Sequence, residues 1–137
     1  MTDTKEHTYK LRVYYEDTDA QGVVYYANYL KFIERARTEF LRSIGYQQEK
    51  LLNEGLIFVV NGIQMSFRKP AKLDDSLKIK TRLIKLGKAS FHFDQEVFSE
   101  ENFLLCKGLV RCACLDSKSF KPVALPKELL DGMRSIL

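Results

Sequence analysis

Residues 27–45, ANYLKFIERARTEFLRSIG, decide the architecture of this chain. Tyr29, Phe32, Ile33, Ala36, Phe40, Leu41 and Ile44 recur at spacings of three and four, which is one apolar face of an α-helix. Leu30 widens that face, so the spacing predicts a helix over 27–44 that is covered on more than one side. Lys31, Glu34, Arg35, Thr38, Glu39 and Arg42 make the other face, and Glu34 and Arg37, three apart, are placed for a local ion pair. Gly45 reads as the stop. A short second helix is expected over 47–53.

Working outward, the apolar period changes from 3.6 to two on both sides. Upstream, Tyr9, Leu11, Val13 and Tyr15 alternate with polar or outward positions and predict a strand over 9–16. Downstream, strands read over 57–68, 76–86, 90–99 and 103–115, with turns at 70–75, 87–89 and 100–102. Such short connections imply antiparallel neighbours, because parallel strands need long crossovers. A last helix over 126–137 starts at Pro126. The expectation is one α+β domain over 1–137. A long helix apolar over a wide arc needs cover, and a five-stranded antiparallel sheet wrapped around it supplies that cover.

Composition narrows the class. A chain of 137 residues with 45% hydrophobic and 29% charged residues can build one core without disulfides or metal. The first ten residues hold no apolar run of a secretion signal, and no stretch approaches the ~20 apolar residues of a membrane span. The expected location is therefore the cytoplasm. The three cysteines, Cys106, Cys112 and Cys114, are an odd number and lack a matching His or Cys pair, so they read as reduced thiols. A net charge of +4 suits a polyanionic ligand but is too weak to argue for nucleic acid.

The segment over 15–29, YEDTDAQGVVYYANY, carries the chemistry. It sets two carboxylates, Asp17 and Asp19, and a glycine turn at Gly22 directly before a helix. A helix N-terminus presents free N–H groups and partial positive charge, which can hold a developing oxyanion. A carboxylate beside it can attack a carbonyl held there, or activate water against it. Read from these residues alone, acyl transfer or hydrolysis stands beside a plainer alternative, in which Asp17 and Asp19 only cap a turn.

This segment resembles the signature of the 4-hydroxybenzoyl-CoA thioesterase family, aromatic-x-Asp-Thr/Cys-Asp-x-x-Gly-x-Val-x-Tyr-x-x-Tyr, and every element matches over 15–29. FIERAR over 32–37 and PAKLDD over 70–75 are similar to the family in the same order. Within it, the chain is most similar to the short acyl-CoA thioesterases associated with the Tol-Pal envelope system. The resemblance implies the hotdog fold and hydrolysis of an acyl-CoA thioester. It implies Asp19 as the catalytic carboxylate and the backbone N–H of Tyr26 as donor to the thioester oxygen. Gly22 and Val24 line the same turn, and Asp17 braces it. Lys88 and Ser90, in the turn KLGKASF over 85–91, match the family's contacts to the phosphates and nucleotide of CoA, although Gly87 and Ala89 stand where some relatives carry further basic residues. The implied assembly is a homodimer or tetramer with the acyl pocket at the subunit boundary, without cofactor or metal.

Other features read as structural. Lys78, Lys80 and Arg82 share a strand face opposite Leu77, Ile79, Thr81 and Leu83, which is the wet side of a sheet. His7 falls in a polar tail and His92 on a strand surface; with only these two histidines, a Ser-His-Asp triad has little support. The competing functions are a hotdog dehydratase, which pairs histidine with an acid, a non-catalytic acyl-thioester-binding protein, and a small basic nucleic-acid binder. A thiol-release assay separates the first reading from these.

Overall fold

The structure, a computed structural model, describes residues 6–137. β1 (His7–Arg12) leads through a 3-10 turn (Tyr15–Asp17) to α1 (Asn28–Ser43) and the short α2 (Gln48–Asn53). β2 (Leu56–Phe67), β3 (Ser76–Leu86), β4 (Ser90–Ser99) and β5 (Leu104–Asp116) follow, then α3 (Lys127–Ser135). The five strands form one antiparallel sheet in the order β1-β3-β4-β5-β2. This is the α+β layout expected from the helix and strand periods, and the hotdog fold that the resemblance implies.

The apolar face of α1 is buried as its spacing demands: Tyr29, Phe32, Ile33, Ala36, Phe40 and Leu41 are all in the core. They share that core with alternate residues of the central strands, Leu77, Ile79 and Leu83 on β3, Phe91, Phe93 and Val97 on β4, and Cys106, Val110, Cys112 and Cys114 on β5. Phe40 meets Phe93 edge to face at 5.1 Å, and Phe91 meets Phe93 the same way at 5.6 Å. Burying each such ring contributes about 1.5–3 kcal/mol relative to exposure. The three cysteines are free and lie on this inner face.

Five expectations are corrected. The first strand stops at Arg12, because the backbone N–H of Val13 donates to Asp75 O (2.9 Å) and that of Tyr14 to the Asp17 side chain (2.9 Å). Tyr15, expected to point inward, is 82% exposed. His7 lies within β1, with its ring edge-on to Phe40 at 6.5 Å, and is not in a tail. The eight residues between β2 and β3 do not join neighbours: β2 pairs with β5 at one sheet edge, and the chain crosses the end of the sheet to reach β3. A short loop suffices, since three strand spacings are only about 14 Å.

The fifth correction concerns Arg37. It does not pair with Glu34. Its Nη1 donates instead to Gln95 Oε1 (3.0 Å), and Gln95 Nε2 donates to Ile33 O (2.9 Å) and Thr81 Oγ1 (3.0 Å). Gln95 and Thr81 are fully buried, so their polar atoms need partners within the protein, and Arg37 is drawn inward to supply one.

Candidate active site

The crossing segment between β2 and β3 passes beneath the start of α1. There it holds the segment that the sequence singled out. Val24 N–H donates to Ala71 O (2.8 Å), Leu73 N–H to Gly22 O (3.3 Å), and Ala71 N–H to the buried Tyr29 hydroxyl (3.1 Å). Burial raises the Tyr29 pKa above its ordinary value, so the hydroxyl stays neutral and serves as this acceptor.

The two aspartates do different work. Asp17 is buried and both carboxylate oxygens are occupied: Oδ2 accepts from Tyr14 N–H (2.9 Å) and Oδ1 from Asn28 Nδ2 (3.0 Å). Its carbonyl accepts from Tyr25 N–H (2.9 Å). Asp17 therefore ties the 3-10 turn to the first turn of α1. Asp19 sits two residues on, in a tight three-residue loop. Asp19 N–H donates to Val23 O (2.9 Å) and Gly22 N–H to Asp19 O (3.0 Å). Gly22 closes the loop at φ +79°, a left-handed conformation that favours glycine. Asp19 Oδ1 accepts from Gln21 N–H (2.9 Å), and among the described residues no donor meets Oδ2. The carboxylate is partly exposed.

Beyond this loop, α1 begins without a side-chain cap. The N–H groups of Asn28, Tyr29 and Leu30 donate to the carbonyls of Tyr25, Tyr26 and Ala27. Among the described residues, the N–H groups of Tyr26 and Ala27 have no acceptor. They lie at the positive end of a 16-residue helix. A groove of about 220 Å³ opens here, lined by Val24, Tyr26, Tyr29, Phe67 and the 68–70 segment. The Phe67 ring packs against Tyr26 at 6.2 Å and Tyr29 at 5.6 Å, yet remains half exposed.

The structure thus brings together Asp19, Gly22, Val24 and Tyr26. It does not bring Lys88 and Ser90 to them. The Asp19 loop docks on the segment entering β3, through the Val23–Lys72 bridge, whereas Lys88 and Ser90 form the turn leaving it. The 11 residues of β3 separate the two by roughly 35 Å. The Lys88 turn is fixed by its backbone: Lys88 O accepts from Leu125 N–H and Ala89 O from Cys114 N–H, both at 2.8 Å. The Lys88 side chain is exposed.

Phe67 and Pro70 are groove residues that the sequence reading passed over. Their signal was position: the strand carrying Phe67 runs into the PAKLDD motif. Among the described residues no cluster of His, Cys, Asp and Glu has a metal-holding arrangement, and no helix is long and apolar enough to cross a membrane.

Residues 13–133 match the model of the thioesterase-like superfamily. The chain belongs to that superfamily, and it is a thioesterase. It is 45% identical over 120 residues to the acyl-CoA thioester hydrolase YbgC of Escherichia coli, covering 88% of this chain and 90% of that protein. It is 46% identical over 123 residues to the acyl-CoA thioesterase YbgC of Haemophilus influenzae, covering 89% and 90%. The crystal structure of a probable thioesterase from Bartonella henselae superposes with a TM-score of 0.84 at 40% identity, covering 89% of this thioesterase and all of that chain.

Proposed function

We propose that this thioesterase hydrolyses acyl-CoA thioesters to free acid and CoA, with Asp19 as nucleophile or general base. The observation that carries the reading is the division of labour between the two aspartates. Asp17 has both oxygens committed to structure, while Asp19, two residues away in the loop that leads to α1, keeps one oxygen without a donor among the described residues, and the Tyr26 N–H at the start of α1 has no acceptor among them. That N–H is the proposed donor to the thioester oxygen as negative charge develops on it. In the direct route, Asp19 takes a proton from water, the hydroxide oxygen bonds to the carbonyl carbon, and the carbon–sulfur bond breaks as CoA leaves. In the covalent route, Asp19 attacks the carbon, CoA leaves, and water opens the resulting anhydride. Relatives named as acyl-CoA thioester hydrolases support the substrate class.

The same reading requires a second copy of the chain. Among the described residues, β2 is an edge strand of 12 residues with no neighbour on its outer side, and its inward row leaves Val60, Ile63 and Phe67 exposed. A long apolar edge of this kind invites pairing. Antiparallel pairing of two β2 strands about their midpoints sets the Phe67 end of one copy beside the Phe58 end of the other. Ser90 is in register with Ala113, and Ala113 with Val59, so the Lys88 turn lies about two strand spacings, roughly 10 Å, from that end. Dimerisation through β2 therefore reunites Lys88 and Ser90 of one copy with Asp19 and Tyr26 of the other. A homodimer, or a tetramer of two dimers, is the proposed active form, in the cytoplasm. A functional link to the Tol-Pal system is proposed on the 15–29 motif. Release of CoA thiol from a panel of acyl-CoAs tests the activity, and its absence across the panel defeats the reading.

A further inference from the structure

Arg37 is the cation of α1 that the fold spends most effort on positioning. It is partly buried, its Nη1 is clamped by Gln95, and Gln95 is itself locked to Ile33 O and Thr81 Oγ1. Burial pulls the guanidinium below its ordinary pKa, which is the signature of a charge held away from water. Yet none of the ion pairs among the described residues includes Arg37. Its remaining N–H groups have no hydrogen-bond acceptor there, although a guanidinium offers five donors.

The side chain forms one wall of a pocket of about 100 Å³, whose other walls include Phe58, Val60, Phe91 and Cys112, with Glu34 and Gln48 at its edge. The volume is smaller than the ~150 Å³ that takes a benzene ring, so it suits a few heavy atoms. Phe58 and Val60 are the end of β2 that, in the β2-paired dimer, lies beside Phe67 and Tyr26 of the second copy.

We infer that Arg37 is a specificity residue that receives an acceptor oxygen, a carboxylate or a hydroxyl, at the far end of an acyl group whose thioester sits at Tyr26 of the other copy. The inference rests on the thioesterase reading and on the β2 dimer. A small pocket with a fixed, unsatisfied donor discriminates against a ligand that leaves the donor unpaired. Glu34, at the pocket edge, offers an acceptor to a hydroxyl and repels a carboxylate, so the two sources of oxygen are distinguishable.

Three non-hydrolysable CoA thioethers of equal length test this by calorimetry: S-butyl, S-(4-hydroxybutyl) and S-(3-carboxypropyl). Wild type is expected to bind at least one oxygenated analogue roughly tenfold more tightly than the butyl one. Preference for the carboxylate or the hydroxyl analogue identifies the source. Arg37→Leu should reduce the preference to about one. Arg37→Gln, which leaves a donor for Gln95 without the charge, should reduce it too, with melting unchanged. Equal binding of all three analogues by wild type, or a loss in both Arg37 variants that is the same for every analogue, overturns the inference. Because the readout is binding, a failure here stays distinct from failure of thiol release, which defeats the proposed function.

Discussion

The two ends of the β3–β4 hairpin make contrasting use of the same materials. At the end where β3 begins, among the described residues, backbone donors at the start of α1 are left without acceptors, an aspartate keeps a free oxygen, and aromatic rings frame a groove. At the other end, the carbonyls of Lys88 and Ala89 accept from Leu125 and Cys114, and the Lys88 ammonium is exposed. The first end is preorganised, with fixed dipoles next to an apolar wall, which is what bond-breaking needs. The second is a mobile point charge in high dielectric, which attracts but does not orient. On the proposed function, chemistry and attraction are segregated by the length of a strand, and pairing of two copies along the open edge of β2 recombines them.

The largest effect should come from the first end. Asp19→Asn keeps the shape and should lower kcat by about a hundredfold or more with the fold intact, since on the proposed function it removes a group that acts on the reacting atoms. Near-normal turnover in that variant would remove the difference drawn between the two ends. Next in size, Ile63→Asp places a charge in the inward row of β2. Light scattering should show a shift toward monomer, and turnover should fall in parallel although Asp19 and Tyr26 are untouched. A monomer with full activity would show that the two ends work separately.

Asp17→Asn should act on stability instead. One of its two donors, Tyr14 N–H or Asn28 Nδ2, must then face an amide NH₂, at a cost of about 1.5–3 kcal/mol. Thermal melting should report this, and a variant as stable as wild type but without turnover would exchange the roles of the two aspartates. The smallest effect belongs to the second end. Lys88→Glu should raise KM for acyl-CoA about fivefold at low salt, flatten its salt dependence and leave kcat unchanged, as expected for one exposed charge. An acyl-pantetheine thioester, which lacks the nucleotide, should not respond. Equal impairment of both substrates would assign Lys88 a packing role.

The sequence made the regular elements legible wherever one period was uninterrupted. β3 and β4 match the predicted spans, and α1 and α2 differ only at their ends, because alternating or three-four spacing over ten or more residues leaves one face to bury. What escaped was set by partners distant in sequence. The first strand ended early because Val13 and Tyr14 spend their N–H groups on Asp75 and Asp17. The place of β2 at a sheet edge is not encoded in the length of its connection to β3. Arg37 looked like a partner for Glu34 because helix spacing says nothing of a buried glutamine 58 residues on. For the candidate site, the motif located Asp19, Gly22, Val24 and Tyr26 together, while Phe67 carried only the signal of its position ahead of PAKLDD. Alternation shows which way it points, and only the packing shows that α1 leaves it uncovered.

The three thiols along β5 give the molecule a built-in reporter. Cys106, Cys112 and Cys114 are at most 4% exposed, and burial pushes the first two up to about 11 and raises the third. Thiol reagents react with the thiolate, so near neutral pH the folded chain is almost silent toward them. Free CoA, by contrast, is fully accessible. In one cuvette a disulfide indicator therefore counts product while the fold holds. When the sheet opens, it gains three equivalents per chain, so the same colour change becomes a clock for unfolding.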